Sequence, residues 1–189
     1  MPKGNLHSTV SNLSFNNLLG RYRKRLITEY ENIYGPLNWY ECMPAIDRYD
    51  GPLLYTESVK NAIKNNSSQV LIISALFGIV KPSDLIPNYN LIMTDTLNKL
   101  RINNFWRTCQ KESTKGILNE VLISNKLNSD ITYVSLLSKP YQMAFDGFTQ
   151  TGKIPSEFVP NLILPPSIDE IDFKDRRGHW KKKYLIKRL

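Results

Sequence analysis

One stretch of the chain, Val70 to Met93 (VLIISALFGIVKPSDLIPNYNLIM), gathers more reactive side-chain types than a connector needs. It opens as an apolar run and continues through Ser74, Gly78, Lys81, Asp84 and Tyr89, punctuated by Pro82 and Pro87. A hydroxyl, an ammonium, a carboxylate and a phenol at such spacing are the ingredients of an anionic-ligand pocket. In that reading Lys81 supplies charge, Ser74 orients the ligand, Tyr89 stacks, and Asp84 is the candidate general acid or base. The same residues also have a structural reading. The prolines shape the turn, Gly78 permits an awkward backbone angle or close packing, and Asp84 caps a following turn.

A second group lies at the other end of the chain. From Lys174 to Leu189, eight Lys or Arg face one acid, Asp175, a local charge of +7 in a chain whose total is +8. Concentrated positive charge beside aromatic residues is the footprint of nucleic acid, because cations replace condensed counterions on phosphates and flat rings offer stacking surfaces. Arg177, Lys181, Lys182 and Lys183 are the candidate phosphate contacts, with Trp180 or Tyr184 stacking on a base or packing against sugar. Arg177 stands beside Gly178, where a forked donor next to a residue without a side chain suits close phosphate approach. A smaller cluster, RYRKR, adds Arg21 and Arg23 as candidate contacts. The alternative for a basic tail is a solvated helix end favourable to the helix dipole.

Several function classes lack their signatures. There is no GxGxxG, P-loop, GxSxG or HExxH motif. With two cysteines outside any CxxC pair and two histidines, no zinc-ligand spacing can be assembled, so neither a metal nor a cofactor is expected. No apolar run approaches the roughly 20 residues of a membrane span, and the first residues, MPKGNLHSTV, carry no signal-peptide pattern. The expected setting is cytoplasmic, with nucleic acid (DNA) or a nucleotide-like anion as partner and no membrane.

The elements that must position these residues follow from periodicity. At 189 residues, 41% hydrophobic and 22% charged, the chain suits one domain spanning 1–189. Phe15, Leu18, Leu19, Tyr22, Leu26 and Tyr30 recur at helical spacing, with Ser14 as cap, Gly35 as stop and the RYRKR charges on the outer face. Helical spacing resumes in LLYTESVKNAIKNN. Val70–Ser74 and Ile131–Leu137 are short, apolar and bounded by polar segments, which predicts interior strands. Between them, NNFWRTCQKESTKGILNEVLISN predicts helical segments interrupted near Ser113 to Gly116. The expected fold is α/β (or α+β), a central mixed sheet flanked by helices, with a basic C-terminal helix. Were the two strands parallel neighbours, Ser74 and Ser138 would line one sheet edge, where ligand-binding loops gather.

These residues also carry a resemblance. SALFGIVKPSDLIPNYNLIM resembles the signature of the peroxide-stress YaaA family, a serine-led GLYG followed by RPxDLIxPYR and a nearby Met. Ser74, Phe77, Gly78, Lys81, Pro82, Asp84, Leu85, Pro87, Tyr89 and Met93 fall on those positions, with Lys81 and Asn90 replacing the family's two arginines. Further segments match in order. RYDGPLLY is similar to FNGDVY, Phe105-Trp106 to FW, SLLSKPY with Ser138 and Tyr141 to NLASxEY, and KDRRG with Lys174 and Arg177 to KxARG. The family's opening SPAKT strand has no counterpart, and the stretch between Tyr141 and Lys174 is too short to align. The resemblance implies an α/β fold, a role in limiting oxidative and iron-linked damage, and DNA binding, with no assigned reaction.

Three expectations stand. The first is a nucleic-acid-binding stress protein that contacts DNA through its basic C-terminal helix. The second is an enzyme acting on a nucleotide or nucleobase, with Lys174 and Arg177 holding phosphate, Ser74 and Ser138 orienting the ligand, Tyr141 lining the pocket and Asp84 moving a proton. The third is an interaction module whose basic helix docks an acidic partner.

Overall fold

The computed structural model describes residues 4–49, 57–107, 116–126 and 137–145. Helix α1 (Asn16–Tyr34) is the longest element among the described residues. Its buried face carries Leu19, Tyr22, Arg23, Leu26, Ile27 and Tyr30, the helical spacing legible in the sequence. Gly35 ends it at φ 86°, donating its N–H to Glu31 O at 2.9 Å. The start differs from expectation: the capping position falls to Phe15, in the left-handed region at φ 60°. Ser14 is committed elsewhere, as described below.

The other α-helices among the described residues are short: α2 (Ala45–Arg48), α3 (Glu57–Asn65), α4 (Ile102–Arg107), α5 (Ile117–Lys126) and α6 (Lys139–Gln142). The fold is mixed α and β. Its sheet component among the described residues is three two-stranded antiparallel ladders. Strand β1 (Met43–Pro44) pairs with β4 (Leu85–Ile86), β2 (Ile72–Ser74) with β3 (Gly78–Val80), and β5 (Thr96–Leu97) with β6 (Leu100–Arg101).

The strand foreseen at Val70–Ser74 is therefore present as β2, but the chain after it does not leave the interior. It reverses through Ala75, Leu76 and Phe77 and returns as β3, with Ser74 opposite Gly78 and Ile72 opposite Val80. Every residue from Ser74 to Val80 is buried. A turn in that position must still satisfy its main-chain polar groups. Trp106 Nε1 donates to Ala75 O at 2.7 Å, and Arg23 donates to Phe77 O at 2.8 Å and to Ile79 O at 2.7 Å. Side chains from α4 and α1 thus replace the water that an exposed turn would use. The apolar core closes around this hairpin through Leu19, Leu26, Ile46, Ile63, Phe77, Ile79, Trp106 and Leu118.

Candidate functional site

The segment that follows the hairpin, Lys81 to Asp84, is a junction of three chain segments. Asp84 accepts Lys81 N–H at 3.0 Å, Ser14 N–H at 3.1 Å and the Ser14 hydroxyl at 2.7 Å. Its main-chain oxygen takes the N–H of Ala45 at 2.8 Å, and Pro82 O takes that of Ile46 at 3.1 Å. The first amides of α2, which have no partner inside their own helix, are thereby satisfied by this turn. Asp84, 8% exposed, holds the entry to α1 and the turn together. The carboxylate read as a candidate general acid or base is thus spent on three donors of the protein itself.

Ser74 and Tyr89 do come together, but in the interior. The Ser74 hydroxyl accepts Phe77 N–H at 3.0 Å and shares a 2.8 Å hydrogen bond with the Tyr89 hydroxyl. Tyr89 in turn shares a 2.8 Å bond with Tyr49. Its ring stands edge-on to Phe77 at 5.2 Å and to Tyr30 at 6.4 Å. Burial pushes the Tyr89 hydroxyl up to about 12, against the pull of its bonds from Ser74 and Tyr49. Burial likewise raises Tyr49, with Tyr89 adding to the effect. Both phenols therefore remain neutral donors at physiological pH. Tyr141, half-buried, is raised by burial and then by the charge of Asp95. Tyr49 is the member of this chain that sequence reasoning missed. Its position beside a turn signal carries no periodicity to mark it.

The other predicted residues are dispersed. Gly78 takes φ 69°, and a Cβ there would lie 3.0 Å from the Trp106 ring, so close packing rather than ligand approach accounts for it. Lys81 is exposed, with Nζ 5.9 Å from the Phe15 ring centroid. Ser138 is exposed at the head of α6, whereas Ser74 is buried, so the two hydroxyls occupy different environments. Arg21 is exposed, its guanidinium 4.7 Å from the Tyr22 ring. Arg23 is fully buried, which corrects both its place on the outer face of α1 and its candidacy as a phosphate contact. A guanidinium committed to Phe77 O and Ile79 O has no fork left for DNA. Burial lowers its pKa to about 10, while the charge of Asp84 raises it. Lys174, Arg177, Trp180, Lys181, Lys182 and Lys183, together with residues 131–136 of the second expected strand, lie outside the described residues.

Among the described residues no group of three or more His, Cys, Asp or Glu could hold a metal, and no helix is long and apolar enough to cross a membrane. One buried side chain is unexplained by the packing. Asn103 has neither amide atom hydrogen-bonded among the described residues.

The braced hairpin and the Lys81–Asp84 junction fall on the segment that carries the sequence signature. The family described as peroxide stress protein YaaA matches residues 8–182. The chain belongs to that family. It is similar to a UPF0246 protein of Rickettsia rickettsii (strain Iowa), 34% identical over 86 residues, 43% of this chain and 33% of the relative. UPF0246 proteins of Rickettsia africae and Rickettsia felis are each 38% identical, over 90 and 93 residues, 46% and 47% of this chain. Those matches cover 35% and 36% of the relatives' own length. No solved structure matches.

Proposed function

We propose that this protein is a nucleic-acid-binding stress protein that contacts DNA through its basic C-terminal segment. The observation that carries the proposal is the charge asymmetry, +7 concentrated between Lys174 and Leu189, with Trp180 and Tyr184 interleaved. Membership of a peroxide stress family supports the stress setting. Arg177, Lys181, Lys182 and Lys183 neutralise phosphates, and Trp180 supplies a flat surface for a base or sugar. The geometry of the Val70–Met93 segment favours the same reading by subtraction. Ser74, Asp84 and Tyr89 are engaged in bonds that brace the core, which weighs against the nucleotide-pocket alternative.

The test is binding of the full chain to labelled single- and double-stranded DNA, beside an Arg177→Ala/Lys181→Ala/Lys182→Ala variant. Binding by the wild type that the triple variant loses by tenfold or more supports the proposal. Equal affinity of the two proteins, or no binding by either, overturns it.

A further inference from the structure

The hairpin β5–β6 turns through two residues, Asn98 and Lys99, both at positive φ, 46° and 67°. Two-residue turns of this kind favour Asn followed by Gly, because the second position sits in the left-handed region, where a Cβ is penalised. Asn98 conforms. Lys99 departs, placing a long cationic side chain at the position where glycine would be more stable. A backbone outlier of this sort is a pointer to function when the residue's side chain is what the molecule needs at that point.

The surroundings of Lys99 say what that need is. Asn98 Nδ2 donates to Glu29 Oε2 at 2.7 Å, which pins the turn against α1. One helical turn before Glu29 lies Arg25, exposed, its guanidinium 5.8 Å from the Phe105 ring. Arg21 lies one further turn back on the same face, also exposed. Arg101 is exposed two residues beyond Lys99, at the foot of the hairpin. Three arginines and a lysine are thus exposed on a helix and a hairpin that the Asn98–Glu29 bond joins, with the Glu29 carboxylate committed to that bond. This group is separate in sequence from the basic C-terminal segment.

We infer that this group, Arg21, Arg25, Lys99 and Arg101, is a second contact for the phosphate backbone of nucleic acid, and that the lysine at position 99, disfavoured by its backbone, serves that contact. The inference rests on the nucleic-acid reading above. Guanidinium groups match phosphate geometry, and a lysine at the tip of a hairpin adds a point charge that the turn holds outward.

The decisive variant is Lys99→Gly in the full chain, because fold and function should move in opposite directions. The expected result is a higher melting temperature, lower affinity for duplex DNA, and a log–log salt slope shallower by about 0.9. An Arg25→Ala/Arg101→Ala variant should weaken binding further and flatten the slope again. Wild-type binding that both variants match in affinity and slope would overturn this inference while leaving the C-terminal reading intact. Absence of salt-dependent binding by the wild type would instead remove the nucleic-acid reading itself, and this inference with it. Tighter binding of poly-glutamate than of DNA, lost in the same variants, would assign the group to an acidic protein and overturn the inference too.

Discussion

Gly78 combines two constraints that no other residue type meets: φ of 69° and a space in which a Cβ would stand 3.0 Å from Trp106 and 3.3 Å from Leu118. Gly78→Ala should therefore cost about 2 kcal/mol in urea unfolding, from backbone strain and overpacking together. Tyr89 makes a different prediction. Its neutral form is favoured in the folded protein up to about 12, against an ordinary value of 10. Between those values the unfolded chain has lost the proton and the folded one has kept it, so stability is complete below pH 10 and falls as pH rises toward 12. The loss attributable to Tyr89 is about 2–3 kcal/mol. Arg23, lowered to about 10, acts in the opposite direction over the same range. The informative quantity is thus the difference between wild type and Tyr89→Phe. The variant should be less stable at neutral pH and lose less between pH 10 and 12, and parallel profiles would contradict the assignment. Both residues were visible in the sequence as special, but their partners were not. Trp106 and Leu118 reach Gly78 across 28 and 40 residues of chain, and Tyr49 reaches Tyr89 across 40.

At the scale of elements, α1 and the hairpin β2–β3 are joined by Arg23, which donates to Phe77 O and Ile79 O from the buried face of the helix. A lysine there presents a single point donor and cannot span both carbonyls. Arg23→Lys should destabilise the fold by about 3 kcal/mol in chemical denaturation, with the loss appearing as an earlier midpoint. An unchanged midpoint would show that the clamp contributes nothing. The helix itself was legible from its apolar spacing and from Gly35. The burial of Arg23 was not read, although Arg23 stands four residues after Leu19 and three before Leu26 on the apolar stripe, because a guanidinium is ordinarily placed in solvent. The strand at Val70–Ser74 was equally legible. Its partner was not: an apolar run followed by Gly and Pro suits a strand leaving a sheet edge as well as one folding back on itself. Side chains from distant elements, Arg23 and Trp106, are what make the second arrangement possible. Asp84 was read either as a proton-moving group or as the cap of a following turn. That it also holds Ser14, 70 residues away, depends on the docking of α1.

For the whole molecule, Ser74, Asp84 and Tyr89 of the family signature brace the interior, while the largest excess of positive charge, +7, lies between Lys174 and Leu189. On the proposed reading, surface charge carries binding, while the bonds of Ser74, Asp84 and Tyr89 carry stability. Substitutions such as Asp84→Ala should lower the unfolding midpoint and leave the DNA affinity of the remaining folded protein within about twofold of wild type. Loss of DNA affinity by tenfold in a folded Asp84→Ala protein would place the signature in the binding machinery after all. The most direct single measurement is the affinity of the full chain for duplex DNA as a function of salt concentration. Neutralisation of several phosphates predicts a linear fall of log affinity with log salt, at a slope of about −0.9 for each contact. A flat dependence would contradict electrostatic nucleic-acid binding by this protein.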